Sequence, residues 1–392
     1  MSTTEAAIVP ASERIAPRIV KRRGTTRERT GCLTCRQSPS SRRHFLRYYT
    51  QTFAMILTKF YSGVTDIIST VFLPMAMHSP SLLTSLIAWS SSHLSLRDPS
   101  FEQVAIRNRC AALHDLREAL DSKNTNMEIT LAMSLVLCSL ESIMADNGHA
   151  WYLHLVGAAR IIASNFNSLE VLEESHRISQ RMIQKFEDAY AGRWLLRNFA
   201  YRDIVMSVAR DRAPLLSSYH FLQLDEPRLP DSHFGLASEI LEILALISTL
   251  REQVKSLLFA NAAGRESDVG EIDDPQPSIQ LSELTDKFTS LEAGLMDWEC
   301  PLSPDMSLRL LAESYRSSAL IHLYRVMRQA FQNKANELST KITTQVAVIV
   351  TSVEQMPMRC LPECTLLFPL FLAGGKLRKT HISSQFENGC LI

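Results

Sequence analysis

Glycine and proline are scarce in this chain, at 13 and 16 of 392 residues. So few chain breakers exclude a loop-rich or collagen-like protein and leave room for long helices. Apolar–polar alternation bounded by hairpin turn residues is missing throughout, which argues against a sheet-based fold. No run reaches the roughly 18 uninterrupted apolar residues of a spanning helix, and the first residues lack the apolar core of a secretory signal. The expectation is a soluble, intracellular protein with no membrane partner. The eight cysteines have no regular spacing, so reduced thiols rather than a disulfide scaffold are expected. Cys390 stands third from the end, one residue short of a prenylation box.

Signatures of catalysis are missing as well. There is no G-x-S-x-G, G-x-G-x-x-G or H-E-x-x-H. Gly374-Gly375-Lys376 resembles the end of a phosphate loop, but Leu370 stands where the first glycine belongs and Leu377 where serine or threonine does. Asp273-Asp274 precedes Pro275 and reads as a pair of solvated loop acids. His149 and His154 are five apart, so on a helix they point about 140° away from each other. Cys360 and Cys364 flank Pro362 in an apolar stretch and read as small buried thiols. No catalytic residue is assigned and no enzyme is expected; a helical enzyme of unknown type is the least favoured alternative.

What is present is unevenly distributed. Basic and acidic residues balance at 41 each, yet residues 1–47 hold eleven lysines and arginines against three acids. That segment is +8 and the other 345 residues are −8. A basic arm on a mildly acidic body points to a polyanion as partner of the arm alone. Within the arm, Arg29-Thr30-Gly31-Cys32-Leu33-Thr34-Cys35-Arg36 sets a C-x2-C knuckle among basic residues, a spacing with which two thiolates grip one zinc ion. Lys21, Arg22, Arg23, Arg27, Arg29 and Arg36 are the candidates for neutralising DNA phosphates. Lys21-Arg22-Arg23 also suits nuclear import. The next cysteine, Cys110, lies too far along for a compact site. Cys32 and Cys35 are therefore an incomplete zinc site, unless two chains share one ion.

Residues 1–42 are polar and expected to be disordered; from residue 43 the pattern turns helical. Ser79-Pro80 is a helix start, the serine capping free N–H groups and the proline fitting the first turn. Leu82, Leu83, Leu86, Ser90 and Leu94 then share a face until Asp98-Pro99. A second helix over 101–121 should turn Ile106, Cys110, Leu113, Leu116 and Leu120 inward. Residues 131–144 are apolar on nearly every side and belong at the centre of a helical array. Further helices are expected near 150–164, 170–190, 192–210, 235–260, 279–297, 306–332 and 338–356. In the 306–332 run Leu308, Leu311, Tyr315, Ala319, Ile321, Leu323 and Val326 mark a buried stripe. Gly264, Gly270, Pro275 and Pro277 make 261–280 a surface loop within one helical body over 43–375, and 376–392 reads as a loose tail. The fold class is all-α.

Arg29–Arg36 resembles the opening of the fungal binuclear zinc-cluster transcription regulators, in which six cysteines hold two zinc ions. Arg42 stands at the third-cysteine position, and Gln37-Ser38-Pro39-Ser40-Ser41 replaces the basic recognition segment, so four of six ligands are missing. The body, over about 43–375, is similar to that family's regulatory domain. The similarity runs through Arg43-His44-Phe45-Leu46, Phe72-Leu73-Pro74-Met75-Ala76, Leu86–Leu94, Trp151–Ala159, Ala312-Glu313-Ser314-Tyr315-Arg316 and Leu366–Gly374. The ends of the similarity, between Cys35 and Arg42 and after Gly374, look like abrupt joins, as a splice variant has. The resemblance implies an all-helical regulatory domain in the nucleus, acting on promoters of RNA polymerase II. It implies zinc as cofactor, and DNA, co-regulators or related regulators and a second copy as partners. With so few ligands, sequence-specific DNA binding is expected to be weakened or lost. The alternative is a nuclear interaction protein that works through the helical body without DNA.

Overall fold

The computed structural model describes residues 42–53, 71–122, 126–144, 148–163, 190–216, 222, 231, 233–266, 276–357 and 363–374. Among the described residues the architecture is all-α, and the one β feature is an isolated bridge between Asp231 and Gly235. The helices are α1 (Arg42–Tyr48), α2 (Leu73–Met77), α3 (Pro80–Arg97), α4 (Glu102–Asp121), α5 (Met127–Met144) and α6 (Ala150–Ala163). They continue with α7 (Tyr190–Arg210), α8 (Ser238–Glu266), α9 (Gln276–Asp297), α10 (Met306–Ala330), α11 (Ala335–Gln355) and α12 (Leu367–Gly374). The helix expected at 170–190 and the tail lie outside the described residues, apart from Tyr190, which opens α7.

Local chemistry sets most boundaries. Ser79 caps α3 by accepting the backbone N–H of Leu82, with Pro80 in the first turn, and Asp305 does the same for α10 through Ser307. The loop expected at 261–280 is shorter than its glycines and prolines suggest. α8 runs on through Gly264 to Glu266 and α9 starts at Gln276 with Pro277 in its first turn. One helical glycine costs only about 1 kcal/mol, and proline needs no N–H partner in a first turn.

Two cores form, and α7 is built into both. The first gathers α2 to α6 around α5, whose residues from Leu131 to Leu140 are buried among others of this core or against it. α5 is long and apolar enough to cross a membrane, but 67% of it is buried inside the protein, as befits a core helix. The second core gathers α8 to α12 around α10, where all seven residues of the expected stripe are buried. Trp194, Leu195, Leu196 and Phe199 of α7 pack into the first core, and Ala200, Ile204 and Val208 into the second.

α4 departs from the sequence expectation. Its length is as expected, but of the five residues assigned to the inside only Leu116 is buried, together with Ala105 and Ala112. Ile106, Leu113 and Leu120 are 53%, 37% and 56% exposed, and Cys110 is exposed too. Two polar contacts fix this rotation. Arg109 grips the carboxylate of Glu141 on α5 with both Nε (2.8 Å) and a terminal nitrogen. Asn108 donates to Ser91 of α3 at 3.1 Å. The Glu141 side chain is only 3% exposed, and stripping its partner costs roughly 3–5 kcal/mol. Rolling three half-exposed aliphatics inward returns about 1 kcal/mol each and sets large side chains where alanines fit closely against α3. The ion pair and the alanines win.

Candidate functional site

Cys32, Cys35, Lys21, Arg22, Arg23, Arg27, Arg29 and Arg36 all lie outside the described residues. The body begins immediately after them. Arg42, at the third-cysteine position, is the first residue of α1, and its guanidinium donates to the hydroxyl of Thr84 on α3 at 3.0 Å. Phe45 of the same helix is buried. Cys32 and Cys35 offer two of the four donors that tetrahedral zinc requires, so the donor set of one chain does not fit the metal. Among the described residues the one cluster of three potential ligands is His114, Asp115 and Glu118 on α4, within 4.8 Å of one another. It is exposed or half-exposed, as solvated helix charges are.

Inside the body, a polar seam crosses the junction of the two cores. Asn198 accepts from Nε of Arg202 at 2.8 Å and donates to Nε2 of His233. Arg202 reaches on to Ser139 of α5 at 2.7 Å. Asp203 receives the backbone N–H groups of Leu215 (2.8 Å) and Leu216 (3.1 Å). Asp231 receives the N–H of His233 at 2.8 Å and faces Arg197 at 4.0 Å. Burial raises the Asp231 carboxyl above its ordinary value despite those contacts. Gly235 closes the turn at φ 61°, and a Cβ there would come within 3.2 Å of Leu311 on α10. The turn that carries Asp231 and His233 therefore needs glycine at this point.

Four described histidines are held neutral, His93 and His322 buried and His154 and His233 half-buried. His233 is pushed down to about 3 by burial, with Arg202 and Arg197 adding to it. His322 falls to about 3 by burial and by Arg251 and Arg325. Its Nε2 lies 3.2 Å from Ser248 Oγ, which is 3.1 Å from Ser207 Oγ. His93 and His154 fall to about 4, again chiefly by burial. A ring with so low an affinity for protons is a poor base near pH 7, and Ser248 and Ser207 are buried nucleophiles without access. At the far end of α7, the guanidinium of Arg210 stacks over Tyr152 at 4.0 Å and Trp151 at 5.8 Å. These groups join helices rather than form a reaction centre.

His154 is half-buried and His149 exposed. Cys360 lies outside the described residues, as do Asp273, Asp274 and the Cys364 side chain. The seam was missed at the sequence level. Its signal was the set Arg197, Asn198, Arg202 and Asp203 inside the apolar run of α7, too polar for a helix that enters two cores.

Comparison with known proteins is specific. The family described as "Fungal specific transcription factor domain" matches residues 44–385. The chain is 23% identical over 350 residues to transcriptional activator protein UGA3 of Saccharomyces cerevisiae, covering 81% of this chain and 62% of that protein. It is 31% identical over 104 residues to sterol uptake control protein 2 of Saccharomyces cerevisiae, covering 23% of this chain and 11% of that protein. The protein of the same description from Candida albicans is 28% identical over 128 residues, covering 30% and 18%. The chain thus spans less than two thirds of the length of these relatives. No solved structure matches.

Proposed function

Because the chain belongs to the fungal specific transcription factor domain family, we propose that it is a transcription regulator rather than an enzyme, acting in the nucleus through its helical body with sequence-specific DNA binding weakened or lost. The carrying observation is the short interval between the knuckle and the body. Only six residues separate Cys35 from Arg42, which is already tied to Thr84. Four further thiolates cannot be placed there, and a structural zinc site contributes roughly 10–16 kcal/mol to folding its own module. Zinc would need two donors beyond Cys32 and Cys35, supplied by another chain.

The arm then meets DNA through charge alone. Lys21, Arg22, Arg23, Arg27, Arg29 and Arg36 neutralise phosphates and read no base edge, so binding should weaken with salt at a log–log slope of about −5. Co-regulators or related regulators engage the body. Selection from a random duplex-DNA pool by the full chain, with zinc and near physiological salt, tests this. The expected result is no recovered motif and binding that fades as salt rises. A discrete motif, lost on replacing Cys32 and Cys35 by serine, would overturn the reading and establish a zinc-dependent reader.

A further inference from the structure

We propose that Ser303 is a phosphorylation site for a proline-directed serine/threonine kinase. Three serines of this chain precede a proline, Ser38, Ser79 and Ser303, and such pairs are common enough that the motif alone decides nothing. The fold separates them. Ser79 is 8% exposed and its oxygen caps α3 by accepting the N–H of Leu82, so no enzyme reaches it while the body is folded. Ser38 belongs to the arm, outside the described residues. Ser303 stands in the connection 298–305 between α9 and α10, within the run Pro301-Leu302-Ser303-Pro304.

A kinase needs the substrate hydroxyl in line with the γ-phosphoryl group and beside the base that accepts its proton. A serine inside a helix must be unwound first; Ser303 need not be. Proline steers the residue before it towards extended backbone, which applies to both Cys300 and Ser303. Asp305 is extended as well, at φ −80° and ψ 109°. Leu302 and Pro304, on either side of the hydroxyl, are exposed, and Ser303 is half-exposed. The Ser303 oxygen accepts the N–H of Asp305 at 3.2 Å, a bond that does not spend the hydroxyl proton. Pro304 has no N–H, so a cleft offering no acceptor there takes this pair without stranding a donor. The ends of the connection are anchored. Trp298 donates to Glu239 of α8 at 2.6 Å, and Arg316 of α10 donates to the carbonyls of Leu295 and Met296 at 3.4 Å.

In the transfer, the serine oxygen bonds to the γ-phosphorus of ATP as the bond from that phosphorus to the β–γ bridging oxygen breaks. ADP leaves, and the hydroxyl proton passes to the kinase's base. The phosphate brings a charge of about −1.5 to −2. Glu299 and Asp305 oppose it, whereas the positive end of α10 and the exposed Arg309 in its first turn favour it. The two influences offset, so the mark changes the surface and leaves the body folded. Its use does not depend on whether the arm reads DNA.

Incubation of the full chain with a purified mitogen-activated protein kinase and magnesium ATP, followed by peptide mass mapping, tests the proposal. The expected result is phosphate on Ser303 and none on Ser79. In a Ser38→Ala background, which silences the arm, Ser303→Ala should abolish incorporation. Pro304→Ala should slow it at least on the order of tenfold, because an unpaired N–H then enters the cleft. The melting temperature of the phosphorylated chain should move by no more than about 3 °C. A peptide of residues 298–308 serves as control. If the peptide is modified and the folded chain is not, the connection is closed to a kinase and the proposal fails. It fails equally if neither takes phosphate, if Ser79 is modified as fast as Ser303, or if the phosphorylated body melts well below the parent.

Discussion

α4 and α11 occupy matching places and meet opposite fates. Each is a helix of about the same length, 20 and 21 residues, that follows a largely buried helix through a short turn and packs back along it, α4 on α3 and α11 on α10. α11 buries one apolar stripe, Leu338, Ile342, Val346 and Ile349, and shows threonines and charges to solvent. α4 buries alanines and leaves its aliphatics outside. The inner side of α11 carries no buried charge and one small hydroxyl, Ser352, so apolar area chiefly sets its rotation. α4 carries Arg109 and Asn108, for which Glu141 and Ser91 wait inside. One acid buried in a neighbouring helix outweighs three aliphatics in deciding which face turns in.

Breaking that acid's contact should have the largest effect. Arg109→Met leaves the Glu141 carboxylate buried and unpaired, and the full chain should lose about 4 kcal/mol of stability in denaturant titration. The corresponding ion pair of α11 joins Lys341 to Glu292 at 2.9 Å with the lysine half-exposed. Lys341→Met should therefore cost less than about 1 kcal/mol. Equal losses in the two variants would refute the account of α4.

Truncating the stripes sharpens the contrast. Ile349→Ala should cost about 3 kcal/mol by transfer and cavity terms, whereas Leu113→Ala should change stability by no more than about 0.5 kcal/mol. A large loss in Leu113→Ala would mean that the outer face of α4 is packed in solution.

Acid tests the inward polar groups of both cores and the seam. His233 and His322 are neutral when folded, with affinities lowered to about 3. The unfolded chain protonates its histidines near pH 6.5. Below that pH, unfolding takes up protons that the folded state refuses, so stability is intact above pH 7 and declines as the pH falls towards 3. Each buried ring then removes about 1.4 kcal/mol per pH unit, and the pair should remove roughly 2–3 kcal/mol between pH 7 and 5.5. Equilibrium unfolding in His322→Gln should show a shallower slope by about one proton. An unchanged slope would place His322 in contact with water.

The chain order of helices, the caps at Ser79 and Asp305, the central placing of α5 and the buried stripe of α10 were legible in the sequence. These depend on neighbours within a few positions, where periodicity and capping chemistry operate. The candidate site was legible only as a pattern of residue types, a two-cysteine knuckle among arginines, and its family followed from the stretches of the body. Which way α4 faces, and how Asn198, Arg202 and His233 tie two cores across α7, only the tertiary structure decided. Arg109 and Glu141 are 32 positions apart, and Asn198 and His233 35. No local period carries such a pairing, because a buried charge or amide is satisfied by whatever the fold brings beside it, and its demand exceeds the preference of the aliphatics around it.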